Sequence, residues 1–454
     1  MWRGQKMATT DNLLQAVATY NKSALGRLVN MFAGINKANK KFKNFQDVVA
    51  NLGNSVTYDS PPRAFSYPGL VVSSFDSIEQ LVYTLTIGGY DSSGIPTPLG
   101  AYDSYGNLNA ANTNLSVSSE QLIFNIDNND YRQPLEEAYM SELGNTIESS
   151  ILNRFINDTY RFYTAGIDYI NNVPLPINSY GQLAFAESQF CEYGCAQTDY
   201  EAFIPNMAVS NIISQGLNKF ILDRNNEAYN SWELGKFGKF DWYRSNLLPV
   251  QIAGTLGNVG AILPITSFVT DSDGGISSIT CSGAGTDATA INAGDLGFFM
   301  DGVAGQPNIR YLTYTGHNPS ELQVQFQATA NASSSAGNVT FSILPKLYSA
   351  PGKNQNISVP VAPGMQIQFL PSHRAGVMYS GKPFYLGMPR LPDQAPFATA
   401  QKSDPVSGAS IRFTQGAAFG QNITGFIWDQ IWGAKLTSPY AMRLIFPITT
   451  PFAG

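Results

Sequence analysis

The fold is decided by residues 127–166, which read DNNDYRQPLEEAYMSELGNTIESSILNRFINDTYRFYTAG. Large side chains recur there about every four residues, which indicates one buried stripe along a long α-helix. The stripe consists of Leu135, Tyr139, Leu143, Ile147, Ile151 and Phe155. Asp130 suits the N-cap and Pro134 the first turn, while Gly166 suits the end of the helix. A helix over 134–163 is roughly 45 Å long, which predicts a rod on which other elements are mounted.

The composition indicates a protein with large contact surfaces. Only 13% of the 454 residues are charged, which is about half of the usual share. A surface with few charges and many aromatic and amide side chains suits large protein–protein interfaces, and it also suits an extracellular β-protein. The net charge of −6 excludes a generally basic nucleic-acid-binding protein.

Targeting signals and cysteine usage predict a chain that is cytosolic when it is made. No apolar run approaches the length of about 18 residues that a membrane-spanning helix needs, and the N-terminus lacks the apolar region of a secretory signal. The three cysteines are too few for a disulfide framework, so we expect free thiols at Cys191, Cys195 and Cys281.

A basic arm opens the chain. Residues 1–43 carry eight basic side chains against Asp11 alone, a charge of +7, so the other 411 residues carry −13. The apolar spacing in the arm predicts two helices broken near Asn21. The segregated charge indicates contact with something acidic, such as a partner's tail or DNA. A solvated helix face explains the same residues, and both interpretations stay open.

Short apolar runs predict strands on both sides of the long helix. Before the helix, the predicted strands are 56–58, 70–72, 81–85 and 115–126. The segment 88–114 is rich in Gly, Tyr, Asn and Ser, so we expect a loop that reaches out of the body. After the helix, residues 170–262 alternate short helices with loops. Within them, we predict that 199–203 is the end of a strand and that a helix opened by Pro205 follows it. A further strand is predicted at 247–252.

The pattern changes to β-type over residues 261–344, where Gly, Ser and Thr turns recur about every 8 to 12 residues. This predicts a small barrel or sandwich inserted into the surrounding domain. The candidate strands are 262–269, 276–281, 296–299, 311–315, 322–328 and 339–344.

Roughly the last hundred residues return to a mixed pattern. Residues 365–384 read MQIQFLPSHRAGVMYSGKPF and predict a strand, a turn with a short helix, and an exit. Strands are predicted at 409–413 and 442–446, and 423–432 is an apolar segment rich in aromatic residues.

Motifs for catalysis or metal binding are nearly lacking in the sequence. Two histidines are too few for a zinc cage, and Cys191-x3-Cys195 has no second pair of cysteines. Asp271 and Asp273, in TDSDGG, are similar to the start of a calcium loop. The glutamate that ends such a loop is missing, so a solvated hairpin turn is favoured. We therefore predict no catalytic, cofactor-binding or metal-binding residues.

The order of these parts resembles the major capsid proteins of tailed bacteriophages with the HK-ninety-seven fold. Within that family the chain looks most like the coat protein of short-tailed temperate Salmonella phages, which carries an inserted β-domain. The stretches that carry the resemblance are DNNDYRQPLEEAYM (127–140), AGDLGFFMDGV (293–303) and NISVPVAPGMQIQFLPSHRAG (356–376). The resemblance covers nearly the whole chain and rests on the order and spacing of these motifs. The loop 88–114 is longer than the family pattern, and the turn 271–275 is shorter.

The resemblance implies an α+β, HK-ninety-seven-like fold with a long spine helix, an extended β loop, a mixed α/β axial domain and an inserted β-barrel domain. The expected domains are a basic helical arm (1–53), the extended β loop (54–126), the spine helix with the peripheral domain (127–169), the axial domain (170–262 and 345–435), the inserted barrel (263–344) and a C-terminal strand that returns to the peripheral domain (436–454).

The resemblance also implies a structural protein that is not an enzyme and takes no cofactor. Copies would form pentamers and hexamers of an icosahedral shell around a scaffolding protein and enclose double-stranded DNA without sequence specificity. A portal protein is a further expected partner, the presence of a decoration protein stays open, and no membrane is involved. The expected location is the virion, with assembly in the host cytoplasm.

Two sets of charged residues are candidates for contacts in such a shell. Lys37, Lys40, Lys41 and Lys43 would face the scaffolding protein or the DNA. The turn 271–275, with its two aspartates, lies where the family implies a contact between capsomers.

Arg374 is a further candidate, because it would bridge a carboxylate of a neighbouring subunit near the capsomer axis. The interpretation that we favour is local: His373 and Arg374 finish a strand and hydrogen-bond their own turn, since half-buried polar groups usually satisfy nearby backbone.

Two other classes of protein stay open. A secreted or surface-displayed β-rich adhesin or glycan-binding protein fits the richness in Gly, Asn, Ser and Tyr. The missing signal peptide, the reduced cysteines and the long helix count against it. A hydrolase with an unrecognised site is the third class, and the low histidine content disfavours it.

Overall fold

The structure is a computed structural model. It describes residues 55–59, 82–86, 110–118, 129–194, 198–216, 235–314, 316–381, 383–388, 391, 397–403, 410–417, 423–436 and 440–448. Several predicted features therefore lie outside the described residues. These are the basic arm with Lys37, Lys40, Lys41 and Lys43, the strand 70–72, most of the loop 88–114, and Cys195.

The described residues are mostly β, with four helices and one six-stranded barrel. The helices are α1 (Asn129–Asn157), α2 (Tyr180–Tyr193), α3 (Asn206–Gly216) and α4 (Thr255–Asn258). By their contacts, residues fall into two compact units, each of which is described by itself. The first includes Tyr83–Arg154 and Phe384–Lys435, and the second includes Phe155–Pro383 and Leu436–Gly454.

Helix α1 confirms the long helix and its buried stripe, but both predicted ends are wrong. Leu143, Ile147, Ile151 and Phe155 are buried. The helix begins at Asn129, so Asp130 is not the N-cap and Pro134 lies in the second turn.

The helix ends at Asn157, six residues before the predicted end. The Thr159 side chain closes its last turn by donating to the carbonyl of Phe155 at 2.8 Å. Phe162 and Tyr163 leave the helix because they form strand β4 (Phe162–Tyr163) beside a strand near the C-terminus. The backbone groups of these residues then form hydrogen bonds within the sheet in place of the helical hydrogen bonds of a further turn.

The first unit contains an antiparallel four-stranded sheet in the order β23-β24-β25-β3. Its strands are β3 (Ala110–Ser118), β23 (Ala398–Ser403), β24 (Ser410–Ala417) and β25 (Ile423–Ile431). Trp428 of β25 stacks on Tyr139 of α1 with ring centroids 6.1 Å apart. The aromatic segment 423–432 is therefore largely a strand, and the strand predicted at 115–126 begins five residues earlier.

Four short strands form two further pairs. They are β1 (Ser55–Asp59) with β2 (Val82–Thr86), and β22 (Phe384–Gly387) with β26 (Gly433–Leu436). The strands predicted at 56–58 and 81–85 agree with β1 and β2 to within one residue.

The second unit contains a mixed seven-stranded sheet in the order β4-β27-β21-β7-β9-β8, with β10 paired to β21. Its other strands are β7 (Glu201–Pro205), β8 (Gly235–Phe237), β9 (Phe240–Ser245), β10 (Val250–Gln251), β21 (His373–Tyr379) and β27 (Ala441–Phe446). As predicted, a strand that ends at Pro205 leads directly into a helix, α3.

Strand β21 corrects the prediction of a short helix in residues 365–384. Seven residues from His373 to Tyr379 are extended and pair with β27 on one side and β7 on the other. Nearly all of them are buried, so both faces of the strand are apolar. Such a strand has no alternation of polar and apolar residues, and sequence periodicity cannot distinguish it from a buried helix.

Between the two halves of this sheet, the chain forms a closed barrel. Its ring runs β12-β11-β20-β14-β17-β19 and returns to β12. The strands are β11 (Ile262–Thr270), β12 (Ile276–Ser282), β14 (Leu296–Phe299), β17 (Gln325–Ala328), β19 (Asn338–Leu347) and β20 (Gln366–Phe369). The remaining strands of this unit are β5 (Ile167–Asp168) with β6 (Val173–Pro174), β13 (Asp287–Ile291) with β18 (Ala332–Ser335), and β15 (Arg310–Leu312) with β16 (Pro319–Gln323).

Aromatic rings from four of the strands form the centre of the barrel core. Phe299, Phe326, Phe341 and Phe369 are buried, and Phe341 and Phe369 meet edge to face at 5.2 Å. A Cβ atom on Gly297 would lie 2.5 Å from the ring of Phe326, so only glycine fits there. Strand β14 has the predicted bounds, while β13 and β18 escaped prediction because runs such as ASSS carry no apolar alternation.

The barrel extends past residue 344, because β20 is one of its six ring strands. Met365, Ile367 and Phe369 are all buried in its core. We therefore propose 261–370 as the span of the barrel domain.

We expect a fragment of residues 261–370 to unfold in one cooperative thermal transition with a β-type circular dichroism spectrum. A fragment of residues 261–344 should show no such transition, because without β20 the ring is open and its core faces water. The measurement is circular dichroism melting of both fragments. Equal melting temperatures for the two would show that β20 is not part of the folding unit.

Candidate functional site

The outer wall of the barrel is docked against the mixed sheet. The contact has a small apolar core that joins barrel residues to strands β4 and β27. It consists of Leu296, Leu370, Phe162 and Ile445, with Phe298 packed against it. Phe162 and Phe298 meet edge to face at 6.2 Å. We refer to this contact as the barrel–sheet junction.

Glutamines on the same wall of the barrel supply hydrogen bonds to the junction. Gln325 lies opposite Phe298 in the ladder of β14 and β17, so the two side chains share a face. The side-chain oxygen of Gln325 accepts from the backbone N–H of Phe162 at 2.8 Å, and its nitrogen donates to the Phe162 carbonyl at 2.9 Å. One side chain thus completes the open edge of β4, as a neighbouring strand would. Gln327 donates to the carbonyl of Asn157 at the end of α1.

Asp295 is the buried anion of the junction, and it is the first of the two aspartates in the AGDLGFFMDGV motif. Its carboxylate accepts from the backbone N–H groups of Gly254 at 2.9 Å and Asn292 at 2.8 Å, and from the Gln251 side chain at 3.0 Å. Burial raises the pKa of Asp295 to about 6, although these donors and the nearby Arg443 pull the pKa down.

Arg443 is the buried cation of the junction. It lies in the apolar run AMRLIF of β27 and is fully buried. Its Nε donates to the carbonyl of Thr159 at 2.8 Å, one Nη to Gly294 at 3.2 Å and the other to Asn157 at 3.4 Å. The guanidinium therefore holds together the end of α1, the start of β14 and the C-terminal strand. The sequence signal for this role is a charged residue within an apolar strand, and Arg443 was not among the residues predicted from the sequence.

His373 and Arg374 open strand β21, beside the junction. His373 is buried, and its Nδ1 lies 2.8 Å from the carbonyl of Pro371, so Nδ1 carries the hydrogen. This contact to its own turn agrees with one part of the local interpretation of His373, but the pair begins a strand and does not finish one. Burial, together with the smaller effect of the nearby Arg443, lowers the pKa of His373 to about 4. Arg374 pairs through its backbone with Phe446 and Val250, and its bridge to a neighbouring subunit stays a prediction.

Asp271 and Asp273 lie in the hairpin turn that joins β11 to β12. Lys346 contacts Asp271 at 2.6 Å and Asp273 at 2.9 Å. Ser277 donates to Asp271 at 2.7 Å and Tyr348 to Asp273 at 3.1 Å. The Lys346 hydrogen bond holds the pKa of Asp273 at about 2. The contact of this turn with a neighbouring capsomer stays a prediction.

Other candidate chemistry is accounted for by local structure. A polar cavity of about 260 Å³ lies beside the junction, and its Asp301 contacts Arg310 at 2.5 Å and Gln323 at 2.8 Å. Cys191 and Cys281 are reduced thiols and not disulfide sulfurs, and burial raises the pKa of Cys281 to about 12. Among the described residues, no His, Cys, Asp and Glu cluster could hold a metal ion. No helix in the described part is long and apolar enough to cross a membrane.

Comparison with known proteins finds similarity in structure alone. No family model and no curated protein sequence matches the chain. The capsid asymmetric unit of cyanophage Pam1 is similar at 9% identity and a TM-score of 0.42, over 99% of this chain and 96% of that chain. A structure from Mycobacterium phage Che8 is similar at 8% identity and 0.40, over 90% and 89%. A virus-like particle from Pyrococcus furiosus is similar at 6% identity and 0.38, over 95% and 99%.

The two buried ionisable groups give the junction a specific dependence on pH. Asp295 binds its proton more tightly in the folded chain, with a pKa near 6 against about 3.9 unfolded. Its contribution to the free energy of unfolding is therefore lost as pH rises from about 4 to 6. His373 binds its proton less tightly in the folded chain, with a pKa near 4 against about 6.5 unfolded. Its contribution grows over the same window, so the two slopes oppose each other.

We expect Asp295→Asn to remove the first slope and His373→Gln to remove the second. The free energy of unfolding of Asp295→Asn should fall on acidification from about pH 6.5 to 4, by an amount on the order of 2 kcal/mol. That of His373→Gln should fall as pH rises through the same range. Denaturant unfolding at each pH measures both. Glu321→Gln, which alters an exposed carboxyl, is the control, and an Asp295→Asn profile parallel to the parent's would contradict the assignment.

Proposed function

We propose that the chain is the structural major capsid protein of a tailed double-stranded DNA bacteriophage. Copies assemble into pentamers and hexamers of an icosahedral head around a scaffolding protein, and the head encloses the genome. The observation that supports this best is the order of the elements. Helix α1 is followed by the first strands of the mixed sheet, then by the barrel, then by the remaining strands of the same sheet. This is the plan that the sequence resemblance implies.

The construction of the barrel–sheet junction suits a subunit of a closed shell. Asp295 and Arg443 direct their polar atoms to backbone groups of three separate chain segments. A side chain used in this way positions the barrel rather than a substrate. A shell repeats each contact many times, so a small error in subunit shape is repeated as often. A rigidly docked barrel limits that error.

The composition supports the same function. With 13% charged residues, the chain can bury large surfaces against its copies without leaving charges unpaired. In the proposed head, a portal protein occupies one vertex. The proposed location is the virion, after assembly in the host cytoplasm.

We expect the full chain, expressed with its scaffolding protein, to form closed spherical particles. The reason is that each copy presents several weakly charged surfaces that gain stability only when many copies meet. Sedimentation and negative-stain electron microscopy measure the outcome, and the chain without scaffold is the control. A chain that stays a monomer in both samples and binds glycans would contradict the proposal and favour the adhesin.

The basic arm is proposed to contact the scaffolding protein or the DNA on the inner surface, through Lys37, Lys40, Lys41 and Lys43. Because exposed ion pairs are weak and screened by salt, assembly with scaffold should slow as salt rises from tens of millimolar to about 1 M. Changing all four lysines to glutamate should abolish co-sedimentation with scaffold. The double variant Lys236→Glu and Lys239→Glu is the control. Co-sedimentation of the quadruple variant at the parent's level would show that the lysines only keep the arm soluble.

A further inference from the structure

We propose that an apolar surface on the β5–β6 hairpin is a contact between two copies of this chain. The inference rests on the proposed function, and it names one of the surfaces through which copies meet. The surface consists of Tyr169, Ile170, Val173 and Leu175 on the hairpin and Val259 beside it. We refer to these five residues as the hairpin patch.

The hairpin patch exposes large apolar side chains to an unusual extent. Ile170 is 93% exposed, Tyr169 71% and Val259 65%. Val173 is 43% and Leu175 42% exposed, so the five residues form a patch comparable with the largest apolar patch on an ordinary monomer, about 300–600 Å². A standard protein–protein contact buries about 800 Å² on each partner. The patch is therefore large enough to form most of the apolar centre of such a contact.

The patch is held in place by the chain itself. Asn172 lies in the turn between the two strands, and its side chain donates to the carbonyl of Gly257 at 3.1 Å and to that of Asn258. These bonds place the hairpin tip next to Val259. At the base of the hairpin, the N–H of Leu175 donates to the carbonyl of Gly166 at 2.9 Å. The hairpin is therefore already ordered before a partner binds. Binding then costs little conformational entropy, which favours association.

The absence of charge in the sequence around the patch identifies the partner. Residues 245–270 contain no charged residue, and Asp168 is the one charge in residues 164–177. The Asp168 carboxylate is engaged in its own turn, where it accepts from the N–H of Ile170 at 2.9 Å and the Asn171 side chain at 2.7 Å. A stretch without cations offers nothing to a phosphate backbone or to an acidic tail. The partner is therefore an apolar protein surface.

A second copy of the chain fits this surface best. The chain carries a net charge of −6, so two copies repel each other over most of their surface. A patch without charge avoids this repulsion and gains from the burial of its apolar side chains.

The test uses the full chain and the variant Ile170→Asp, whose side chain is nearly fully exposed and contributes nothing to the core. We expect sedimentation velocity and electron microscopy to show at least a roughly tenfold lower yield of assembled material, with an unchanged circular dichroism melt. Val259→Asp, on the other side of the patch, should have the same effect. The matched control is Met207→Asp, which places the same new charge on an exposed residue at the start of α3.

The outcomes separate this inference from the proposed function. Particles of Ile170→Asp at the parent's yield would overturn the contact and leave the capsid proposal standing. A parent chain that dimerises but never closes into particles, with the dimer lost in Ile170→Asp, would support the contact and overturn the capsid proposal. Equal loss in Met207→Asp would overturn the contact, because any added charge would then act. Binding of the parent, but not of Ile170→Asp, to neutral phospholipid vesicles would assign the patch to a membrane instead.

Discussion

The buried guanidinium of Arg443 is the interaction on which the second unit depends. A charge that is removed from water is tolerated only when its donors find partners inside the protein. Arg443 finds them on the carbonyls of Thr159 and Gly294, which lie just after the long helix and just before a barrel strand. The residue itself sits on the C-terminal strand. These three segments cannot separate without leaving a buried cation unsatisfied.

The same constraint explains how two different β-structures share one unit. The barrel has no free edge, because its sixth pairing returns to its first strand. The mixed sheet does have an edge, at β4, and Gln325 covers it with a side-chain amide that takes the place of a strand. Asp295 then fixes the loops on the barrel side through three donors. A barrel that is tied at this many points moves with the sheet that carries it, which is what the proposed function would require of it.

Charge is distributed in a way that fits this architecture. The buried charges of Asp295 and Arg443 bond largely to backbone groups of the second unit, while Asp271 and Asp273 pair with Lys346. Residues 164–177, which contain the β5–β6 hairpin, carry one charged residue, Asp168. Because charged groups are costly to desolvate, a surface without them is the one that can be covered by another protein at the least cost.

Sequence alone was sufficient for the elements in which only one face is buried. The stripe of Ile147 and Ile151 on α1 and the barrel strand Asn338–Leu347 follow from periodicity, because a half-buried helix or strand repeats its apolar residues at a characteristic spacing. Periodicity failed for His373–Tyr379, since a strand that is buried on both faces has no such pattern. It also failed at the end of α1, where pairing with a strand close to the C-terminus overrides helix propensity.

The candidate site was decided by tertiary structure. The motif that contains Asp295 was recognised in the sequence, but its partners were not, and Gln325 and Arg443 were not singled out at all. Gln325 reaches a backbone group 163 residues away, and Arg443 one that is 284 residues away. A polar residue in an apolar strand looks the same in the sequence whether it faces water or a buried carbonyl. Only the folded chain shows whether such a residue faces water or a buried carbonyl. The reason is that its partner is supplied by a segment that is distant in the sequence and adjacent in space.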